Sequence, residues 1–372
     1  MNILVTGARS LAAFELIRNF GFHGNTVYTA DSIKNPICKY SKFLKKCFFV
    51  PSAKFDENAY IEKLINILND FNIDVLFPIC EEIFYISRNK RKLEKFCPNL
   101  KIMADDFDKL KLLHNKFEFY KMSKNLGVLA AESILVFDKS NLDEFINKNG
   151  KIILRSVFSR FGTSAFVVYN TNEVKNKFLN RNFIASKFIP DGKLVCYYCY
   201  CENGEVKFDI SYSSPFKSSV NACTIFEVFK NDGKIKEYAE KIIKFLKLSG
   251  NISFDFIYDG NVFYVIECNP RITSGIHVLS KNNFEKMFFG GINFSVKMED
   301  SQILLLNMFN FKNYNFRFLK KIFSVRDVLF SKEDLKPFFM IPKFIFEMLR
   351  ISIKNSVSLI DATTYDINWN GE

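Results

Sequence analysis

The first hundred residues alternate short apolar runs with stretches of helical spacing, and this alternation restricts the fold more than any other feature of the chain. Ile3–Thr6 reads as a buried strand. Ser10–Phe20 repeats apolar residues at Leu11, Phe14, Leu16, Ile17 and Phe20, the spacing of an amphipathic helix. Thr26–Ala30, Phe48–Val50, Asp74–Pro78 and Lys101–Met103 read as further strands, with helices predicted at Ala59–Leu68 and Glu82–Phe96. Strands separated by helices of this length pair in parallel through right-handed crossovers. Ligands of such sheets lie at the carboxyl ends of the strands. Those ends carry Thr6-Gly7-Ala8-Arg9-Ser10, Asp31-Ser32 and Pro78-Ile79-Cys80-Glu81-Glu82. Glu81 and Glu82 are candidates to hold a substrate ammonium.

Beyond residue 105 the pattern changes. Two helices are expected at Phe107–Leu113 and Lys116–Asn125, then a small α+β unit from Ser133 to Ser186. Long strands follow at Lys193–Cys201 and Val206–Tyr212, joined at Glu202-Asn203-Gly204, then a helix at Lys234–Leu248 and a hairpin at Asn251–Cys268. The segment after residue 300 mixes both patterns.

Composition narrows the class. Of 372 residues, 48% are hydrophobic and 25% charged, which excludes a largely disordered, collagen-like or coiled-coil chain. The net charge of +12 is spread over short clusters such as Lys42–Lys46 and Lys90–Lys95, read as solvated helix faces rather than a nucleic-acid surface. No uncharged run of about 18 residues exists, so a membrane-spanning helix is not expected; with the charge scattered, neither nucleic acid nor membrane is expected as a partner. Met1–Gly7 reads as a first strand, and nine scattered cysteines fit a reducing, cytoplasmic location. Cys196, Cys199 and Cys201 sit in a β-type run without a second pair at zinc spacing, and are read as structural.

The chemistry concentrates between Asn251 and Arg271. Two strands flank Asp259-Gly260, a hairpin signal. Glu267 and Asn269 are two apart and share a face. A two-residue loop would turn Asp255 away from them. A three-residue loop at Tyr258-Asp259-Gly260 would bring it onto their face. It would also leave Ile252, Phe254, Phe256, Val262, Tyr264 and Ile266 as one apolar face, so this loop is expected. Two carboxylates and an amide oxygen suit Mg²⁺, which takes one or two carboxylates and leaves other positions to water and phosphates. Arg271 beside them can contact a phosphate or carboxylate through two parallel hydrogen bonds. His277, just past it, is a candidate acceptor contact, although a hydrogen-bonded structural role is the simpler expectation.

From Asp255 to Arg271 the chain resembles the metal-binding hairpin of the ATP-grasp superfamily, in the branch of biotin carboxylase and the carbamoyl-phosphate synthase large chain. The resemblance implies that Lys116 and Arg155 contact nucleotide phosphates. It also implies that Ser159, Gly162 and Thr163 lie in the loop covering those phosphates. Lys187, Phe188 and Ile189 then form the linker that holds the adenine. The implied architecture is α/β: an N-terminal parallel-sheet domain (1–104), an ATP-grasp domain (105–300) with a lid subdomain (about 128–188), and a small C-terminal extension (301–372). The implied activity is an ATP- and Mg²⁺-dependent ligase, with Mn²⁺ as substitute metal. Asp255, Glu267 and Asn269 hold the metal, while Arg271 and Arg155 assist catalysis. A small carboxylate and an amine are the substrates, and a homo-oligomer is compatible with this reading.

Two other readings compete. The covering loop has one glycine, Gly162, which favours a non-catalytic nucleotide-binding module for regulation or assembly. A nicotinamide-dependent oxidoreductase is disfavoured because Gly7–Ala12 lacks the Gly-x-Gly-x-x-Gly spacing.

Overall fold

The computed structural model describes residues 1–159, 165–215, 224–230, 233–279, 282–290, 296–308 and 316–372. The N-terminal strands β1 (Asn2–Thr6), β2 (Thr26–Asp31), β3 (Leu44–Phe49), β4 (Val75–Phe77) and β5 (Lys101–Ile102) form a parallel sheet in the order β3-β2-β1-β4-β5. Helices α1 (Leu11–Phe22), α2 (Glu57–Asp70), α3 (Glu82–Arg88) and α4 (Lys90–Phe96) connect them. Both faces are covered, so neighbouring residues of β1 serve different cores. Ile3 and Val5 pack with Phe14, Ile17 and Phe20 of α1, whereas Leu4 packs with Ile61, Leu64 and Leu68 of α2. The single helix expected over Glu82–Phe96 is interrupted at Asn89. Its side-chain amide donates to Glu57 Oε1 at 2.6 Å and to the Tyr85 carbonyl at 3.0 Å, bonds that compete with helix continuation. Strand β3 begins four residues before the sequence expectation, because exposed Lys45 and Lys46 mask its apolar pattern on this sheet edge.

Helices α5 (Phe107–His114) and α6 (Lys116–Asn125) lead into a four-stranded antiparallel sheet. Its strands are β6 (Ser133–Leu135), β7 (Ile152–Ser156), β8 (Phe166–Val168) and β9 (Phe183–Lys187), ordered β6-β9-β7-β8 and backed by α7 (Lys139–Asn149). The third sheet has seven strands. These are β10 (Lys193–Glu202), β11 (Glu205–Ser213), β12 (Ile225–Val228), β13 (Gly250–Tyr258), β14 (Phe263–Asn269), β15 (Ser301–Gln302) and β16 (Arg326–Asp327), ordered β14-β13-β10-β11-β12-β15-β16. Strand β10 shows why the cysteines are structural. Val195, Tyr197, Cys199 and Cys201 enter one core with Ile235, Ile242 and Ile243 of α8 (Lys234–Leu246). Cys196, Tyr198 and Tyr200 face the other core, with Phe20 of α1 and with Phe284 and Phe288 of α9 (Phe284–Phe289). All eight described cysteines are free.

The remaining helices are α10 (Leu304–Met308), α11 (Phe316–Ser324), α12 (Lys336–Phe339), α13 (Ile341–Asn355) and α14 (Leu359–Ala362). The segment expected as a separate C-terminal extension is used in two places. Its first part supplies β15 and β16 to the seven-stranded sheet. Its last part, residues 363–369, lies on the N-terminal domain. There Arg9 is buried between Asp31 and Asp366, each with a carboxylate oxygen 2.5 Å away. Ser32 Oγ donates to Asp366 at 2.7 Å, and the Trp369 backbone N–H donates to Glu81 at 2.9 Å. Arg9, Ser32 and Glu81 all belong to the strand-end segments singled out in the sequence, so this terminal stretch covers the crevice at the carboxyl ends of β1, β2 and β4.

Candidate nucleotide and metal site

The hairpin of β13 and β14 places Asp255 directly across from Glu267, and Ser253 across from Asn269. Asp255, Glu267 and Asn269 therefore share a face, but not through the expected three-residue loop. Tyr258 pairs with Phe263, which leaves a four-residue connection, and Phe256 pairs with Val265. A β-bulge between these registers inserts Ile266 as an unpaired residue of β14. The bulge reverses the side-chain phase of the strand. Phe263 and Val265 enter the core before it, and Cys268 after it. The expected apolar face is thus correct for Ile252, Phe254 and Phe256 and wrong for Val262, Tyr264 and Ile266. Strand β14 lies at the sheet edge, where a bulge re-aims a side chain with little loss of pairing.

Two cations converge on this face. Lys116, the first residue of α6 and only 3% exposed, has its Nζ 3.6 Å from Glu267 Oε2 and donates to the Ser159 carbonyl at 2.9 Å. Asn115 fixes the start of that helix by accepting from the N–H groups of Phe117 and Glu118. Arg155 reaches the same Glu267 oxygen at 3.7 Å from β7. Its Nη2 lies 3.4 Å from Ser186 Oγ, and its buried Nε has no protein partner among the described residues. A buried guanidinium N–H without a partner is costly, and it is a donor ready for an anionic ligand. Asn269 donates to Asp255 at 3.3 Å, and Arg271 donates to Asn269 Oδ1 at 3.4 Å.

Electrostatics sets the two carboxylates apart. Burial and the facing Glu267 charge push Asp255 up to about 7. Burial would raise Glu267 as well, but Lys116 and Arg155 overcome it and hold that carboxyl below its usual range. Burial lowers the pKa values of both Lys116 and Arg155, and the charge of Glu267 opposes it. Two like charges facing each other across a strand pair are relieved by a shared cation. The donor set of two carboxylates and one amide oxygen therefore fits Mg²⁺. Among the described residues there is no cluster of three or more His, Cys, Asp or Glu side chains of the kind that closes a structural metal site.

The other candidates are distributed as follows. Lys187 ends β9, and its backbone N–H donates to the Glu132 carbonyl at 2.8 Å. The Phe188 ring lies under Lys151 Nζ, 3.8 Å from its centre. Together with Ile189 they carry the chain from the four-stranded to the seven-stranded sheet. Ser159 contributes its carbonyl to Lys116, whereas Gly162 and Thr163 lie outside the described residues. Glu82 does not face a substrate ammonium. It accepts from Thr6 Oγ1 at 2.6 Å and from the N–H groups of Ile79 and Cys80, each at 3.1 Å, fixing the turn after β4. Gly7, at φ +69°, passes over it so closely that a Cβ would come within 3.1 Å of its Oε1. Glu81 is likewise buried and accepts from Trp369, although its charge is felt by Lys116. His277 is not an acceptor contact either. It is buried, 3.2 Å from Glu15 and against the Phe226 ring, which is the structural role.

Three further residues adjoin the site, none of which the sequence pattern marks as a site residue. Ser133 and Ser186 share a hydroxyl hydrogen bond of 2.8 Å beside Arg155. Cys196 pairs with Asp255 across β10 and β13 and hydrogen-bonds to it. Its position on the even side of β10 is the only hint.

Asp255, Glu267 and Asn269 of the hairpin thus meet Lys116 from α6 and Arg155 from β7 of the four-stranded sheet. Residues 113–275 match the ATP-grasp domain family. The chain is similar to an uncharacterized protein of Methanocaldococcus jannaschii, 23% identical over 353 residues, covering 90% of this chain and 80% of that one. It is also similar to the carbamoyl phosphate synthase large chain of Clostridium acetobutylicum, 22% identical over 207 residues, covering 49% of this chain and 18% of that one. Among solved structures, the biotin carboxylase of Campylobacter jejuni in its β,γ-ATP complex superposes with a TM-score of 0.63 at 16% identity, covering 80% of this chain and 73% of that one. Among the described residues no helix is long and apolar enough to cross a membrane.

Proposed function

We propose that the protein is an ATP- and Mg²⁺-dependent ligase that activates a small carboxylate and joins it to an amine. The observation that carries this reading is the convergence of Lys116 and Arg155 on Glu267, within the same face as Asp255 and Asn269. In the first step an oxygen of the substrate carboxylate attacks the γ-phosphorus of ATP, giving an acyl phosphate and ADP. In the second step the amine attacks the acyl carbon, phosphate leaves, and the amine gives up a proton. Mg²⁺ held by Asp255, Glu267 and Asn269 supplies neutralisation of the terminal phosphates and of the charge that moves between them. Lys116 and Arg155 hold the phosphate oxygens in line as fixed, largely desolvated donors. Arg271, anchored on Asn269 and on the Ile272 carbonyl at 3.2 Å, orients the acyl oxygens. No side-chain nucleophile is required.

ADP release in a screen of small carboxylates against ammonia and small amines tests the reading. Turnover that requires both members of one pair is the expected result. Nucleotide binding with no turnover for any pair would instead support a non-catalytic module. Arg155→Ala should raise the KM for ATP or lower kcat by roughly tenfold or more, the worth of a charge-assisted contact. Unchanged steady-state kinetics would remove Arg155 from the site.

A further inference from the structure

Helix α13 is seated on the N-terminal domain by one face only. Ile341 and Met348 are buried, Phe344 packs against the core, and Glu347 accepts from the Lys34 N–H at 2.8 Å and the Asn35 amide at 2.7 Å. The opposite face is apolar and open. Ile345, Phe346, Leu349 and Ile353 project from it, with Phe346 71% and Ile353 78% exposed, and Phe339 just upstream is 69% exposed. At helical spacing these side chains form one stripe about 100° wide. Exposed Lys343, Arg350 and Lys354 form a row along its solvent side. Single exposed apolar residues need no explanation, but a contiguous stripe of aromatic and branched side chains does.

We propose that the outer face of α13 docks on an anionic lipid bilayer, the helix lying in the interface with its apolar stripe inserted and its basic row on the headgroup phosphates. Three observations favour this occupant. The exposed charges beside the stripe are all positive, since the one carboxylate of the helix, Glu347, is turned inward onto Lys34 and Asn35. The surface is a convex helix face rather than a groove, which suits a deformable planar partner. A second copy of the chain is disfavoured, because antiparallel two-fold pairing along the stripe would set one basic row against the other. An apolar stripe flanked by Lys and Arg is the pattern of interfacial helices, which lie on a membrane without crossing it. Such docking would bring the ligase site to substrates held at a membrane surface. It does not depend on the ligase reading, because the helix is remote in the chain from the site residues and docking needs no nucleotide.

Co-sedimentation of the full chain with vesicles tests it. Binding to vesicles of equal parts phosphatidylglycerol and phosphatidylcholine, but not to pure phosphatidylcholine, is the expected result, and it should weaken with added salt. Phe346→Ser combined with Ile353→Ser should lower the partition coefficient by roughly tenfold or more, as both residues are exposed and contribute little to the core. Lys343→Glu combined with Arg350→Glu should lower it by on the order of tenfold. Failure to bind the anionic vesicles, or equal binding to both kinds, overturns the proposal. So does a concentration-dependent dimer that the Phe346→Ser, Ile353→Ser variant abolishes, since a second copy would then cover the stripe.

Discussion

Glu267→Gln should reduce ATP turnover by roughly 10²–10³-fold, the cost of losing one preorganised electrostatic contact at a phosphoryl-transfer site. Glutamine keeps the shape and removes the charge. The effect is large because Glu267 does two things at once. It faces Asp255 as half of the carboxylate pair, and it is the anion nearest to both Lys116 and Arg155, at 3.6 and 3.7 Å. Without it the two cations proposed to bind phosphate lose their nearest counter-charge, and the proposed metal keeps one carboxylate. Some stability is lost as well, about 1–3 kcal/mol, because two largely buried cations are left without that counter-charge. The two effects separate experimentally. Circular dichroism and a thermal melt report the fold, and ADP release at a temperature where the variant is fully folded reports the site. A folded Glu267→Gln protein with wild-type turnover would falsify the placement of the metal and phosphates at this hairpin.

The hairpin also shows what a single sequence reveals and what it hides. That Asp255, Glu267 and Asn269 share a face is legible, because the even residues of β13 are apolar and a polar face has to lie opposite them. The way they come to share it is not. A bulge at Ile266 looks in sequence like an ordinary alternation continued for one more residue, and Ile266, Tyr264 and Val262 all have high β-propensity. The phase reversal is decided by the partner strand, not by local preference. The parallel sheet is legible for a similar reason. Strands buried on both faces give uninterrupted apolar runs such as Ile3-Leu4-Val5, whereas the edge strand β3, with Lys45 and Lys46 exposed, shows only its last two residues, Phe48 and Phe49, in the sequence pattern. Glu81 and Glu82 fail as substrate contacts because their position at a strand end, read correctly, says nothing about which partners lie a few ångströms away. Those partners are Thr6, two backbone N–H groups and a tryptophan 288 residues further along the chain.

Trp369→Ala should cost about 3–5 kcal/mol, the range for deleting a large buried aromatic side chain. Trp369 is the chain's single tryptophan and is 2% exposed. Its ring stacks on Phe84 at 4.6 Å and meets Phe107 and Phe158 edge-on at 5.6 and 5.2 Å. The consequence reaches the site through a short path. Phe158, against which the indole packs, adjoins Ser159, whose carbonyl holds Lys116. Loss of the indole should therefore raise the KM for ATP severalfold even where the variant remains folded. Trp369→Phe keeps an aromatic ring but loses the indole hydrogen bond to the Glu372 carbonyl, and it should restore most of both properties. The wild-type protein provides its own reporter. Its only indole should emit as a shielded group and resist acrylamide quenching until the N-terminal domain unfolds in urea. If the indole is already quenched in the native protein, or if Trp369→Ala leaves the urea midpoint unchanged, the terminal segment does not cap the N-terminal sheet. The crevice at the carboxyl ends of β1, β2 and β4 would then be open to ligands, as parallel sheets ordinarily leave it.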